Sequence, residues 1–287
     1  METLRVGYSN FAIELTVEER GFSEIVKSLF PVDRAMHEQA LFEIAVLGNE
    51  DSGYTLLSGH ADPVNCLSQE EALSELFYLI GGFICQTLKP EEAILHAAGV
   101  RLENKTILFS GVSGSGKTTC SIEFSEYGEY LGDEYCYIDA NTGNAWFDRY
   151  PLHLKAQNPY LKWFDDCKKF KTYDRSLDKS GYFIPLDSMA ATMENVAWDF
   201  KPVPIAAIIF PHYTSLKETT LIKPVAIDKL PEYILNGLIG PLLPAMLLQR
   251  FIHMISVHRI GLYELYYSDL QDACVKFIQK MENGEKV

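Results

Sequence analysis

The chain has 287 residues, of which 47% are hydrophobic and 22% charged, so it can bury a sizeable core as one large domain or two smaller ones. Twenty-five basic residues against 39 acidic ones leave a net charge of −14. With no Lys/Arg block to neutralise a phosphate backbone, that balance argues against a nucleic-acid partner.

The opening METLRVGYSNFAIEL has no basic segment followed by an apolar run, so no secretory signal is expected. Residues 76–88 are too short an apolar run to span a bilayer. Residues 233–257 are interrupted by Pro241, Pro244, Gln249, Arg250 and His253, which favours a buried helix over a membrane span. Six cysteines (66, 85, 120, 136, 167 and 274) form no C-x-x-C pair and read as reduced thiols, which suits a cytoplasmic protein.

Residues 1–88 are expected to form an α+β accessory region. Leu4–Tyr8 and Ala12–Thr16 alternate like edge strands, and Phe42–Leu47 and Thr55–Leu57 read as further strands around a turn at 48–53. Ser68 with Glu71 three residues later resembles a capping box and opens a helix to about Leu88, ended by Pro90.

Residues 89–287 are expected to form the second domain. Ile94–Val100 reads as a strand, Glu103-Asn104 as a turn, and Thr106–Ser110 as a short buried strand. GVSGSGKTT then runs from Gly111 to Thr119 and matches G-x-x-x-x-G-K-[ST]. A helix follows and ends at Gly128. Strand, glycine loop and helix are the context that this motif needs.

The residue types fit a triphosphate. Gly111, Gly114 and Gly116 let main-chain N–H groups approach phosphate oxygens, with Ser113, Ser115 and Thr119 completing the loop. The helix start adds free N–H groups and its dipole. Lys117 supplies a point charge to the β- and γ-phosphates, and Thr118 a hydroxyl to Mg²⁺. ATP and Mg²⁺ are the expected ligands.

Asp133 lies 16 residues beyond Lys117, where a helix and a return strand can bring it back to the loop. It is the candidate general base, with Glu134 assisting Mg²⁺. The plainer alternative is a solvated turn at the entry to a strand. Asp139 ends the apolar run Tyr135–Ile138 in the manner of a Walker B strand and competes for the metal, although a turn-former there looks the same. Asn141–Asn144 reads as a hairpin turn before a strand at Trp146-Phe147, and Leu152–Lys155 as another extended piece. The span 168–180 is locally basic, and Gly181–Pro185 reads as the end of a loop over the site. Residues 227–282 read as two or three helices: one from Pro231, one from Pro241 to Val257, and one from Ser268 as N-cap to Lys280. The rest, from Glu282, frays.

From Leu95 to Asp139 the sequence resembles the HPr kinase/phosphorylase-like serine kinases, P-loop proteins related to phosphoenolpyruvate carboxykinase. The resemblance is carried by His96 before the nucleotide strand, the loop from Gly111 to Thr118, Gly128 at the helix end, and the acidic pair Asp133-Glu134. Pro151–Lys155 and Phe210–Tyr213 are similar to further family segments. Glu134 stands where the family usually has a second Asp, and His212 where it has Arg. The resemblance implies an α/β fold with a mixed-sheet P-loop core and a divergent member of the family. It places His96 near the phosphates or the acceptor, and gives Lys155 and His212 weaker claims to a phosphate. It implies Mg-ATP-dependent phosphorylation of a serine-type hydroxyl on a peptide, protein or small molecule, in an enzyme that tends to be oligomeric. A nucleotide-binding regulator and a P-loop hydrolase are the alternatives.

Overall fold

The computed structural model describes all residues except 9–10, 33–39, 49–52, 60, 149, 165–168, 175–178, 198–200, 216–219 and 283–287. The middle of the turn expected at 48–53, part of the basic span and the carboxy-terminal tail therefore lie outside the described residues.

In chain order the elements begin with β1 (Glu2–Gly7), β2 (Phe11–Val17), α1 (Arg20–Leu29), β3 (Ala40–Gly48), β4 (Tyr54–Ser58), β5 (Ala61–Cys66) and α2 (Gln69–Gln86). Next come β6 (Glu92–Leu102), β7 (Lys105–Ser110), α3 (Lys117–Phe124), β8 (Glu129–Gly132), β9 (Tyr135–Asp139) and β10 (Asn144–Phe147). They are followed by β11 (Leu152–Lys155), β12 (Lys171–Asp174), β13 (Lys179–Ile184) and α4 (Leu186–Thr192). The chain ends with β14 (Val203–Tyr213), β15 (Leu221–Pro224), α5 (Leu230–Ile234), β16 (Leu238–Ile239), α6 (Pro244–His258), β17 (Gly261–Tyr267) and α7 (Leu270–Glu282).

The fold is mixed α/β and divides into two compact units. One comprises Met1–Thr87 and Arg149–Thr192, the other Leu88–Asp148 and Met193–Val287. The first division falls at 87/88, beside the end of α2. Residues 149–192, expected in the second domain, cluster with the first.

The first unit holds a sheet in the order β1-β2-β3-β4-β5, parallel only between β2 and β3, and a small sheet β11-β13-β12. β2 is an interior strand, not an edge, because the unforeseen α1 carries the chain across to a parallel β3. That helix buries Phe22, Val26 and Leu29, spaced four and three apart, so one apolar stripe faces inward. α2 starts as its sequence suggests: the Ser68 hydroxyl accepts from Glu71 N at 3.2 Å, and the Glu71 carboxylate accepts from Leu67 N at 2.7 Å. Phe77 on α2 then meets Tyr150 and Phe183 at ring separations of 4.3 and 4.6 Å, which ties residues 149–192 into this unit. Gly181–Ile184, expected in a loop, form part of β13.

The second unit is built on a mixed sheet with the path β10-β9-β6-β7-β14-β17-β15; β8 and β16 pair with β6 off that path. β7, β14 and β17 run parallel, and β6 is antiparallel to β7. Alternation along the strands splits the core into two layers. Leu108, Ile208, Phe210 and Leu262 point to one face, packed with Leu230 and Ile234 of α5 and Phe251, Met254 and Ile255 of α6. Phe109, Ile209, Tyr263 and Leu265 point to the other, packed with Cys120 and Phe124 of α3 and Cys274 and Phe277 of α7. Each large side chain buried this way contributes about 1.5–3 kcal/mol.

The carboxy-terminal stretch is not purely helical. Its helices are separated by β17, whose Leu262, Tyr263 and Leu265 are all buried in an interior strand, a pattern that tertiary pairing turns into sheet. Asp269 rather than Ser268 caps α7, since its carboxylate accepts from Asp272 N at 3.1 Å. No described helix is long and apolar enough to cross a membrane. Cys66, Cys85, Cys120, Cys136 and Cys274 are all free thiols.

Candidate functional site

The site lies in the second unit, where β7 delivers the chain to a tight glycine loop. Gly111, Gly114 and Gly116 have φ of 140°, 86° and 102°, the left-handed region that strains residues with a Cβ. At Gly116 a second constraint acts, because a Cβ there would lie 2.7 Å from the Tyr267 hydroxyl oxygen. Gly116 is the N-cap of α3 and Lys117 its first residue, so the first N–H groups of α3 open toward the loop. Val112, Ser113 and Gly114 are exposed on the outer arc, and Thr119 is half-buried on α3. The Ser115 hydroxyl is buried and has no hydrogen-bond partner among the described residues.

Lys117 is buried, and its ammonium folds back to donate to the carbonyls of Gly111 at 3.0 Å and Val112 at 3.4 Å. The cation therefore sits inside the loop's curve. An anion that displaced those carbonyls would meet the charge, the loop amides and the positive end of the helix together.

Asp133 comes back to this loop. Its Oδ2 accepts from the Thr118 hydroxyl at 2.5 Å, and its Oδ1 from Glu134 N at 2.9 Å. Gly132, just before it, passes over the ring of Phe147, where a Cβ would lie 2.6 Å from a ring carbon. Glu134 takes a positive φ of 74°, a conformation that costs a non-glycine residue about 1–2 kcal/mol. That turn aims its carboxylate at His96, with Nε2 and Oε2 2.9 Å apart. His96 arrives on β6 opposite Tyr135, next to Ala97, which pairs with Ser110 at the end of β7. Thus β6, the β8–β9 turn and the start of α3 bring His96, Asp133, Glu134, Lys117 and Thr118 together.

Burial dominates the electrostatics here. It pushes the Asp133 carboxyl up to about 6, and the charge of Glu134 adds to the rise. The Thr118 hydrogen bond and the charges of His96 and Lys117 pull the other way without cancelling it. Tyr130 on β8 has a buried hydroxyl with no hydrogen-bond partner among the described residues; burial and the charges of Asp133 and Glu134 raise its pKa well above normal. Burial also pushes the Cys120 thiol next to the loop up to about 12, so it stays protonated.

Asp139, Lys155 and His212 belong to other elements. The Asp139 carboxylate accepts from Asn141 N at 2.8 Å, Thr142 N at 3.4 Å and the Thr142 hydroxyl at 2.8 Å. It is committed to the β9–β10 turn, a strand's length from Glu134. Lys155 belongs to the first unit, on β11 opposite Gly181. His212 stacks on Tyr266 at 4.7 Å and lies 3.6 Å from Glu264. Glu264 accepts from the hydroxyls of Tyr233 at 2.6 Å and Tyr266 at 3.1 Å. Burial alone would raise its carboxyl, but those two bonds and the charges of His212 and Lys223 hold it below the usual range. Sequence reading missed both Tyr267 and Glu264. The alternation in GLYELYY is the signal that would have placed them on a strand.

A magnesium ion takes hard oxygen ligands, and the Thr118 hydroxyl and Asp133 carboxylate are of that kind. Among the described residues no three His, Cys, Asp or Glu side chains gather as a protein-only metal site. Magnesium in nucleotide sites commonly takes one or two carboxylates and leaves the remaining positions to phosphate and water.

No family model matches the chain, and no curated protein matches it. Among solved structures it is similar to the Hpr(Ser) kinase/phosphatase from Coxiella burnetii, with 8% identity, coverage of 66% of this chain and 98% of that one, and a TM-score of 0.30. A superposition that loose decides nothing about this chain.

Proposed function

We propose that this protein is a P-loop phosphotransferase of the HPr-kinase-like type. It moves the γ-phosphoryl group of ATP to a serine-type hydroxyl on a peptide, protein or small molecule. The observation that carries this reading is the Thr118–Asp133 hydrogen bond, which puts a buried carboxylate of raised pKa against the first turn of the helix that follows the glycine loop. A carboxylate in that place can serve a bound magnesium ion or ready an acceptor hydroxyl.

In this reading the loop amides from Gly111 to Gly116 and the ammonium of Lys117 hold the phosphate oxygens, with Ser113, Ser115 and Thr119 around them. Magnesium, when bound, would neutralise charge on the β- and γ-phosphates; Thr118 and Asp133 would hold it, with Glu134 nearby. Asp133 orients the acceptor hydroxyl and takes its proton as the acceptor oxygen bonds to the γ-phosphorus and the bond to the ADP oxygen breaks. In the metal-free protein burial raises this carboxyl to about 6, which still leaves it ionised at neutral pH. His96 fixes the Glu134 carboxylate beside this pair and adds positive charge whenever it is protonated.

The test is ATP consumption by the purified protein, with magnesium, against a panel of serine-containing peptides and hydroxyl metabolites. ADP should form only when an acceptor is present, with phosphate recovered on that acceptor. Steady ATP hydrolysis without acceptor would make the protein a hydrolase. Tight ATP binding without turnover would make it a nucleotide-binding regulator.

A further inference from the structure

We infer that Tyr213 is the platform on which the purine base of the bound nucleotide stacks. This deepens the proposed function and rests on the glycine loop holding the phosphates. The sheet order supplies the first argument. His96, Asp133 and Glu134 all lie on the β6, β8 and β9 side of β7. If the γ-phosphate faces those groups, the nucleoside half leaves the loop on the other flank, toward the carboxy-terminal ends of β14 and β17. Those ends are where parallel α/β sheets present their ligand crevices.

Tyr213 is the last residue of β14 and is 70% exposed. A single exposed aromatic is ordinary on a protein surface. What distinguishes this one is its connection to the loop. Tyr213 has the same strand parity as Ile209, which packs on the face that carries α3. Its ring meets Tyr267 edge-on at 6.0 Å, and Thr214 N donates to Tyr267 O at 2.8 Å. The Tyr267 hydroxyl oxygen in turn lies only 2.7 Å from where a Cβ on Gly116 would be. One buried tyrosine therefore links the last glycine of the loop to an open aromatic face. Tyr267 is 5% exposed and is fixed by this packing, so the edge-to-face contact holds the Tyr213 ring in place before any base arrives. Stacking of this kind reads a π-face rather than a hydrogen-bond pattern.

The experiment is calorimetric titration of the full chain with magnesium-ATP and, separately, with inorganic tripolyphosphate. Tyr213→Ala is expected to weaken ATP binding about tenfold and to leave tripolyphosphate binding unchanged. Tyr213→Trp is expected to keep ATP affinity and to show fluorescence quenching with ATP but not with tripolyphosphate. Unchanged ATP affinity in Tyr213→Ala, while Lys117→Ala loses it, would overturn the stacking role alone. Equal losses for both ligands would show a distorted loop and overturn it too. Wild-type protein that binds neither ligand would remove the nucleotide reading itself and this inference with it.

Discussion

Lys117 and Asp133 define what single side chains contribute. The Lys117 ammonium already points into the loop, so Lys117→Met keeps the packing and removes the charge. ATP affinity by calorimetry should fall at least about tenfold while the thermal midpoint of the ligand-free protein changes little. Asp133 gives a prediction with a sign. Its folded pKa of about 6 lies above its ordinary value of 3.8, with burial as the main cause. Between those values the folded chain keeps a proton that the unfolded chain has released. The group's contribution therefore falls as pH rises through that window, and its full cost is present above about 6. Asp133→Asn removes the cost; its Oδ1 can accept from Glu134 N while its Nδ2 donates to the Thr118 hydroxyl oxygen. In metal-free buffer the variant should gain stability over wild type above pH 6, with the gain vanishing toward pH 4, as followed by thermal melts. Its turnover should fall by about a hundredfold or more; turnover within about tenfold of wild type would exclude Asp133 as the base.

At the scale of elements, close packing aims the carboxylates. Phe147 on β10 lies against Gly132 and also against Gly99 on β6, where a Cβ would come 2.4 Å from its ring. Both glycines leave room for one ring beneath the strand that leads to Asp133. Gly99→Ala forces that ring aside and should destabilise the fold by about 1–3 kcal/mol, measured by urea unfolding. Adding Phe147→Leu should recover part of the loss. If Gly99→Ala unfolds at the wild-type urea midpoint, the ring is not wedged as described. The β6 strand shows why such packing matters: along its length it pairs with β7, β8, β9 and β16, so a shift in it reaches the loop strand and the acidic turn together.

The whole molecule is woven from discontinuous pieces. Residues 149–192 supply the first unit with Tyr150 and Phe183 against Phe77. A fragment of residues 1–88 therefore leaves Phe77 without these rings and should bind an apolar dye and melt without cooperativity. Joining residues 1–87 to 149–192 through a flexible linker should restore a cooperative melt. Cooperative unfolding of the 1–88 fragment alone, at the midpoint of the joined protein, would show that the second segment is dispensable.

The glycine loop, its strand and its helix were legible from sequence because each depends on local chemistry: left-handed glycines, a β-branched run, and a helix start behind Gly116. The Ser68 cap and the hairpin before Asn144 were legible for the same reason. The return of Asp133 toward the loop was an expectation that spacing allowed, while its hydrogen bond to Thr118, its burial and the raised pKa came only from the sheet that encloses it. β17 was passed over although GLYELYY alternates, and its place in the sheet came from pairing with β14. The return of residues 149–192 to the first unit was hidden, because it is decided by contacts with α2, distant in sequence. Sequence alone determined what the loop can grip; tertiary structure decided which groups stand beside it, because strand pairing between distant segments has no local signature.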